Sequence, residues 1–182
     1  MRHVYEVDGW GVGEVWAHDG VVVQHELASR ELELATRRPE PDGPAPRVGG
    51  VSSPTGTLSR EVLQDAAGFV PELCRRFAAH LAGGRVDYAD VAIDLAWATP
   101  FQQELATALR AVPWGETVSY GELAALAGRP GAARAAGSFC ADNRFALIVP
   151  CHRVVASDGI GGYGSSGVAL KRRLLALEGV TL

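Results

Sequence analysis

The spacing of hydrophobic and polar residues predicts short strands in the first part of the chain. Between Val4 and about Leu27, alternating or β-branched stretches are separated by Asp8-Gly9 and Asp19-Gly20. Aspartate followed by glycine favours the tight turns of β-hairpins, because glycine adopts positive φ without steric cost. We therefore expect a small antiparallel sheet.

A loop and a helix are predicted next. Residues 37–57 are dense in proline, glycine, serine and threonine, which is typical of a long loop. Apolar side chains recur at helical spacing over residues 59–82 and stop at Gly83-Gly84, although Pro71 would allow a break of this helix in two. Residues 91–95 predict one more strand.

From residue 99 onward the pattern becomes helical. Thr99-Pro100 is typical of a helix start, with a capping threonine and proline at the first helical position. Ser119 is expected to cap a second helix, which ends at Gly128-Arg129-Pro130-Gly131, and a third follows over 132–141. Two helices joined by a tight glycine-containing turn predict a helix-turn-helix.

These elements predict an α+β fold. We expect a small N-terminal domain over residues 1–97, with an antiparallel sheet plus a helix, and a mainly helical C-terminal domain over residues 98–182. No run approaches the roughly 18 apolar residues of a membrane span, and the N-terminus has no signal-peptide apolar segment. The expected location is the cytoplasm, without membrane partners.

Charge is divided unequally between the two parts. The net charge is −4, but residues 1–97 hold 9 basic and 15 acidic side chains, whereas residues 98–182 hold 8 and 6. The C-terminal part thus carries a balance of +2, which is compatible with a phosphate-facing surface of modest, salt-sensitive affinity. Charge alone would not indicate DNA.

The cysteines and histidines do not form a metal or disulfide pattern. Cys74, Cys140 and Cys151 are unevenly spaced and include no CxxC pair, which argues against a disulfide framework and a cysteine-rich zinc site. We predict no metal and no cofactor. The other candidate ligands in the N-terminal part are the histidines His3, His18, His25 and His80.

Residues 148–155 combine an apolar run, a proline and a thiol. Pro150 cannot donate a ladder hydrogen bond, and Cys151 and His152 follow it at once. Cys151 is a candidate nucleophile, since a nearby base lowers the pKa of a thiol. Side chains alternate in an extended segment, so His152 reaches the thiol only through a backbone turn or a water. A packed, unreactive cysteine remains the alternative.

The second helix of the predicted helix-turn-helix has little side-chain bulk, because alanine, glycine and serine dominate residues 132–138. Helices that read bases in the major groove need long polar side chains, whereas a smooth helix suits the narrower minor groove. Arg134 is the candidate for a side chain that wedges into the base stack. The alternative is an ordinary alanine-rich helix with Arg134 in solvent.

Several motifs stand in one order along the second part of the chain. Their residues and spacing resemble the O6-alkylguanine-DNA alkyltransferases, also called methylated-DNA–protein-cysteine methyltransferases. No motif of comparable strength precedes Thr99. The matching motifs are Thr99-Pro100-Phe101-Gln102, Gly115-Glu116-Thr117-Val118-Ser119-Tyr120, Ala132-Ala133-Arg134-Ala135, Pro150-Cys151-His152-Arg153-Val154-Val155, Lys171 and Leu174-Leu175-Ala176-Leu177-Glu178-Gly179.

The resemblance implies irreversible transfer of an alkyl group from O6 of a damaged guanine to Cys151, with the base flipped out of the duplex. His152 would be the general base through a water, and Glu178 would orient its imidazole. Without the family, Glu178 would be interpreted as a solvated glutamate at a helix end. Asn143 would link the recognition helix to the active-site turn, and Tyr120 would support flipping and donate toward N3 of guanine.

The resemblance also implies the DNA-facing residues and the base pocket. Arg134 would be the arginine finger that fills the gap left by the flipped nucleotide. The expected partner is double-stranded DNA with O6-alkylguanine, bound by a chain that is a monomer when free. The other helix and pocket residues carried over are Ala132, Ala133, Ala135 and Gly137 for DNA and Arg153, Val154, Tyr163 and Ser165 for the base.

Two positions depart from the family pattern. Arg144 follows the asparagine where the family usually has proline, and Tyr163 lies one residue closer to the cysteine than usual. Whether Tyr163 or Ser165 faces the alkyl group is therefore left open. Both departures concern the substrate range and not the nucleophile.

Three other functions are weighed against repair. A protein that binds alkylguanine without repairing it is disfavoured, since relatives of that kind replace the cysteine that stands here at 151. A helix-turn-helix regulator is disfavoured by a recognition helix poor in base-reading side chains. A Cys-His hydrolase would turn over repeatedly and need no DNA.

Overall fold

The structure, a computed structural model, describes residues 2–29 and 60–182, and it confirms the predicted α+β class. The loop expected over residues 37–57 lies outside the described residues. The elements in chain order are β1 (Arg2–Val7), β2 (Gly11–His18), β3 (Val21–Ser29), α1 (Arg60–Leu81), α2 (Pro100–Arg110), β4 (Val118–Ser119), α3 (Tyr120–Leu126), α4 (Ala133–Ala141), β5 (Val154–Val155) and α5 (Gly167–Leu177).

The N-terminal sheet is antiparallel with the order β1-β2-β3, as the two Asp-Gly turns predict. Tyr5 pairs with Gly13 across the first two strands, and its ring occupies the place of a side chain there. A Cβ atom at Gly13 would lie 2.4 Å from that ring. The outer edge of β3 forms single bridges to Ile93 and Phe145, which attach the sheet to the rest of the chain.

Two local predictions are wrong. Residues 91–95 do not form a strand, because only Ile93 bridges to β3 at Val22 and no second segment of the described residues extends the ladder. Pro71 does not break the helix, since α1 is continuous from Arg60 to Leu81. Pro71 lies on the exposed face of α1, where water can satisfy the carbonyl that loses its partner.

The buried face of α1 packs on the sheet through an aromatic stack. His25 of β3 lies parallel to Phe77 with ring centroids 3.8 Å apart. Tyr5 donates its hydroxyl to Nε2 of His25 over 2.7 Å, and Nδ1 of His25 donates to the carbonyl of Ala146 over 2.5 Å. Burial lowers the pKa of His25 to about 3, so the ring stays neutral and keeps both hydrogen bonds.

The helix-turn-helix prediction is confirmed in the C-terminal part. Thr99 caps α2 and Ser119 caps α3, and the backbone amide of each donates in return to the side chain of the glutamine or glutamate three residues later. Strands β4 and β5 pair in parallel, with Val118 opposite Val154. This pairing holds the start of α3 beside the turn that carries Cys151.

The two parts of the chain share one cluster of buried hydrophobic side chains, which includes Phe77 from α1 and Leu105 from α2. The predicted division at residue 97 stays a prediction. Among the helices that the structure describes, none is long and apolar enough to cross a membrane.

We expect Phe77→Ala to lower the free energy of unfolding by about 3 to 5 kcal/mol, because it removes a fully buried ring and leaves a cavity under His25. The matched control is Leu126→Ala, since Leu126 is 63% exposed and its change should stay within about 0.5 kcal/mol. Urea denaturation measures both. Equal losses in the two variants would contradict this account of the core.

Candidate active site

Cys151 begins a single 3-10 turn that contains His152 and Arg153. The amide of Cys151 donates to the carbonyl of Val149 over 2.8 Å, and that of Arg153 to Pro150 over 2.9 Å. All three turn residues are buried, and Cys151 is 8% exposed. The apolar run thus ends in a tight turn, which replaces the alternation that an extended segment would impose on Cys151 and His152.

Asn143, just beyond the end of α4, holds this turn from outside. Its Nδ2 donates to the carbonyl of Val149 over 2.8 Å and to Sγ of Cys151 over 3.0 Å, while its Oδ1 accepts from the amide of Phe145 over 3.0 Å. The loop between them bends sharply at Leu147, which has a φ of 67°. A buried leucine in this conformation is strained, and such strain is common at functional sites.

The thiol of Cys151 is not ionised by its surroundings alone. Burial raises the pKa of Cys151, and hydrogen bonds from Asn143 and Tyr163 and the charge of Lys171 oppose that rise without cancelling it. A base is therefore needed to remove the proton before the sulfur reacts.

His152 has the tautomer that such a base requires. Its Nε2 lies 2.8 Å from Oε1 of Glu178, and a carboxylate only accepts, so Nε2 carries the proton. Nδ1 is then an acceptor, and it has no hydrogen-bond partner among the described residues. Burial lowers the pKa of His152 and outweighs the opposing effect of Glu178, which leaves the ring neutral at pH 7.

Glu178 is fully buried, so the interpretation as a solvated glutamate at a helix end is wrong. The chain folds back after α5 through Gly179, whose φ is 81°, and the carboxylate of Glu178 lies in the interior. Arg153 donates to both carboxylate oxygens over 2.9 Å, and the amide of Gly115 donates to Oε2 over 3.2 Å. Burial acts to raise the pKa of Glu178, but His152, His80 and Arg153 together hold it well below the usual range.

Lys171 is a buried residue that the sequence places in a matching motif but that the site prediction omitted. Its Nζ donates to the carbonyls of Val154 and Ile160 over 2.6 Å and of Gly162 over 3.0 Å. It therefore connects the glycine-rich loop of residues 159–167 to β5. A signal existed, since Lys171 stands at helical spacing with the buried Leu174.

The predicted pocket residues near the turn differ in their burial and in their contacts. Tyr120 at the start of α3 is half-buried and lies against Gly137 and Gly161. Burial raises the pKa of Tyr163 well above its usual value, and its hydroxyl interacts with the thiol of Cys151. Ser165 is exposed, and it forms a bridge with Tyr163.

The predicted DNA-contacting residues lie on and beside α4. Arg134 and Ala135 are exposed, Ala133 and Gly137 are half-buried, and Ala132 precedes the first residue of the helix. The outward face of α4 consequently has little side-chain bulk, apart from the long basic side chain of Arg134. Arg144, which replaces the usual proline, is exposed and stacks over Trp97 at 4.7 Å.

One described group has spacing that a metal ion could use: atoms of His80, His152 and Glu178 lie within 4.8 Å of one another. Both oxygens of that carboxylate already accept hydrogen bonds from Arg153, whose positive charge a cation would have to displace. We assign the group to hydrogen bonding. The sequence-based expectation of no metal stays a prediction.

Known proteins resemble this chain over the same region. The family model for the DNA-binding domain of 6-O-methylguanine DNA methyltransferase matches residues 100–180. A methylated-DNA–protein-cysteine methyltransferase of Mycobacterium tuberculosis is 50% identical over 101 residues, which are 55% of this chain and 59% of the relative. The corresponding protein of Methanothermobacter thermautotrophicus is 41% identical over 56% of this chain and 57% of the relative. The matched segments thus span little more than half of these relatives.

Solved structures extend the likeness to nearly the whole chain. The crystal structure of Mycobacterium tuberculosis OGT in complex with DNA has a TM-score of 0.70 and 32% identity, and the match covers 98% of this chain and 92% of that one. An O6-methylguanine-DNA methyltransferase from Pyrococcus kodakaraensis has a TM-score of 0.64 and 27% identity, with 99% and 100% covered.

We expect Glu178→Gln to cost about 3 to 5 kcal/mol at pH 7, because it leaves the buried charge of Arg153 without its partner. The folded-state pKa of Glu178 is depressed, so its contribution is complete above the unfolded value of 4.5 and is lost as the pH falls below it. The gap between wild type and variant should therefore narrow as the pH falls from about 5 to 3.

Urea denaturation across that pH range measures this gap. The control is Glu72→Gln, an exposed carboxylate paired with Arg75, for which about 0.5 kcal/mol or less is expected. A gap that stays constant down to pH 3 would contradict the assignment of the charge to Glu178.

Proposed function

This chain belongs to the O6-alkylguanine-DNA alkyltransferase family, and on that premise we propose that it repairs DNA by moving the alkyl group from O6-alkylguanine to its own Cys151. The observation that carries this proposal is the arrangement of His152. Its Nε2–H donates to a buried carboxylate, while its Nδ1 stays available to accept a proton from the thiol of the preceding residue in the same turn.

In the proposed reaction, the proton of Cys151 passes through one water molecule to Nδ1 of His152. The thiolate attacks the alkyl carbon, a carbon–sulfur bond forms, and the bond between that carbon and O6 breaks. The electron pair stays on the guanine, which takes up one proton; the proton that Cys151 released to His152 makes up for it through water, so the guanine is left neutral and His152 returns to its neutral form. Glu178 stabilises the imidazolium meanwhile, and the thioether is not regenerated, so each chain reacts once.

The residues around the turn suit a flipped guanine. Tyr120 is proposed to donate its hydroxyl toward N3, which promotes departure of the base, and its high pKa keeps that proton available. Tyr163 rather than Ser165 is proposed to face the alkyl group, since its hydroxyl is at the sulfur. The carbonyl of Val154 accepts from Lys171 and retains a lone pair for the guanine amino group.

The small side chains on the outward face of α4 support entry of this helix into the minor groove. Alanine and glycine allow the helix backbone to approach the duplex closely, and exposed Arg134 is proposed to occupy the space of the extruded nucleotide. The charge balance of +2 in residues 98–182 supports a DNA-facing C-terminal part. A DNA substrate also favours the cytoplasm as the location, and we propose a monomer in the absence of DNA.

The alternative functions are less well supported. A lesion-binding protein without transfer would not need the thiol that Asn143 and Tyr163 contact. A helix-turn-helix regulator would need longer base-reading side chains on α4. A Cys-His hydrolase would be distinguished by the number of product molecules formed per chain, because a hydrolase regenerates its cysteine.

We expect Cys151→Ala to abolish methyl transfer from O6-methylguanine DNA and to leave DNA binding within about twofold, because the thiol contributes to chemistry and not to the helix face. Mass spectrometry of the wild type should find one methyl group per chain, on Cys151. The control is Cys74→Ala, which alters a half-buried cysteine of α1 and should transfer normally. Product beyond one equivalent per chain would favour the hydrolase instead.

We expect Arg134→Ala to weaken binding to duplex DNA with O6-methylguanine about tenfold or more, since the flipped state loses the side chain that fills the stack. The reaction of Cys151 with free O6-methylguanine should not change. Fluorescence anisotropy measures the binding, and Arg75→Ala is the control, an exposed arginine on α1. Equal weakening by both substitutions would reduce the role of Arg134 to general charge.

A further inference from the structure

His80 comes from the last turn of α1 and reaches the carboxylate at the centre of the candidate active site. Its side chain is fully buried, and its Nε2 lies 3.6 Å from Oε1 of Glu178. The same oxygen accepts the hydrogen bond from His152. Two imidazoles, one from each part of the chain, therefore face one carboxylate oxygen.

The ring of His80 is explained by packing, but its nitrogens are not. Trp114 and Tyr88 enclose the ring, with centroids 4.8 Å and 5.8 Å away. Neither nitrogen has a hydrogen-bond partner among the residues described. Buried polar groups without partners are rare, and a phenylalanine would fill the same space without that cost.

The geometry indicates which nitrogen of His80 carries the proton. A carboxylate oxygen only accepts, so the nitrogen that faces Oε1 of Glu178 is favoured as N–H. An approach of about half an ångström would bring the two atoms to hydrogen-bond distance. His80 is thus poised as a second imidazole donor to the oxygen that supports His152.

We propose, on the basis of the function proposed above, that His80 is a positioning residue that shares Oε1 of Glu178 with His152 and so limits how strongly this carboxylate stabilises protonated His152. A carboxylate with an additional donor is less basic, and it supports a neighbouring imidazolium less. The thiol of Cys151 consequently gives up its proton at a higher pH. A thiol that reacts only once is thereby protected from unspecific electrophiles.

The electrostatic effects on His152 have the direction that the proposed role of His80 requires. Burial is the main cause that lowers the pKa of His152, and His80 adds to that lowering while Glu178 opposes it. The other groups that face the two imidazoles are Arg153, which also lowers the pKa of His152, and Tyr88, which packs beside His80. Among the described residues that influence His152, Glu178 is the only acidic group that faces the two imidazoles.

The test compares full-length His80→Phe and His80→Gln with the wild type. Phenylalanine keeps the ring without a donor, whereas glutamine places an amide N–H near the position of Nε2. Iodoacetamide modifies Cys151 without DNA, and peptide mass spectrometry gives its rate from about pH 5 to 9. We expect the midpoint of the phenylalanine variant to fall by about half a pH unit, with about threefold faster modification below it. The glutamine variant should keep the wild-type midpoint.

An unchanged or raised midpoint in His80→Phe would overturn the proposal, as would equal shifts in both variants. The readout does not depend on alkylguanine, so a wild type that fails to accept a methyl group would refute the proposed function separately. If both variants unfold, nitrogen-15 NMR of wild-type histidines decides the matter. Nε2–H on His80 is expected, and the Nδ1–H tautomer would contradict the role.

Discussion

The site depends on one buried negative charge, the carboxylate of Glu178. A charge in the protein interior is tolerated only when donors replace its lost hydration, and here Arg153, His152 and the amide of Gly115 do so. These donors come from two segments, the turn that carries Cys151 and the loop between α2 and β4, which must be in place together. The carboxylate therefore acts as a structural centre and, at the same time, fixes the tautomer on which the proposed base depends.

The thiol of Cys151 is fixed in position but stays protonated. Burial raises the pKa of Cys151, so the sulfur stays protonated until a base acts on it. Asn143 contacts the sulfur, and Lys171 fixes the glycine-rich loop through the carbonyls of Ile160 and Gly162. The proposed single transfer would benefit from this restraint, because an adventitious reaction would use up the thiol.

The acidic N-terminal part gains a role from this arrangement. His25 of β3 donates to the loop that bends at Leu147, and His80 of α1 faces the carboxylate. Both histidines reach across to elements of the C-terminal part that carry the site. The N-terminal part thus contacts the site through buried histidines, and such contacts do not require the positive charge expected of a DNA-facing surface.

The sequence by itself determined what depends on near neighbours: the Asp-Gly hairpins, the caps at Thr99 and Ser119, the small side chains of α4 and the position of the candidate nucleophile after Pro150. These features are local, since turn and cap preferences act within a few residues. The tertiary structure alone decided the continuity of α1 at Pro71 and the burial of Glu178 and His80. Helical spacing shows which residues share a face, but only the segments that pack against that face determine whether a charge there meets water or a buried partner.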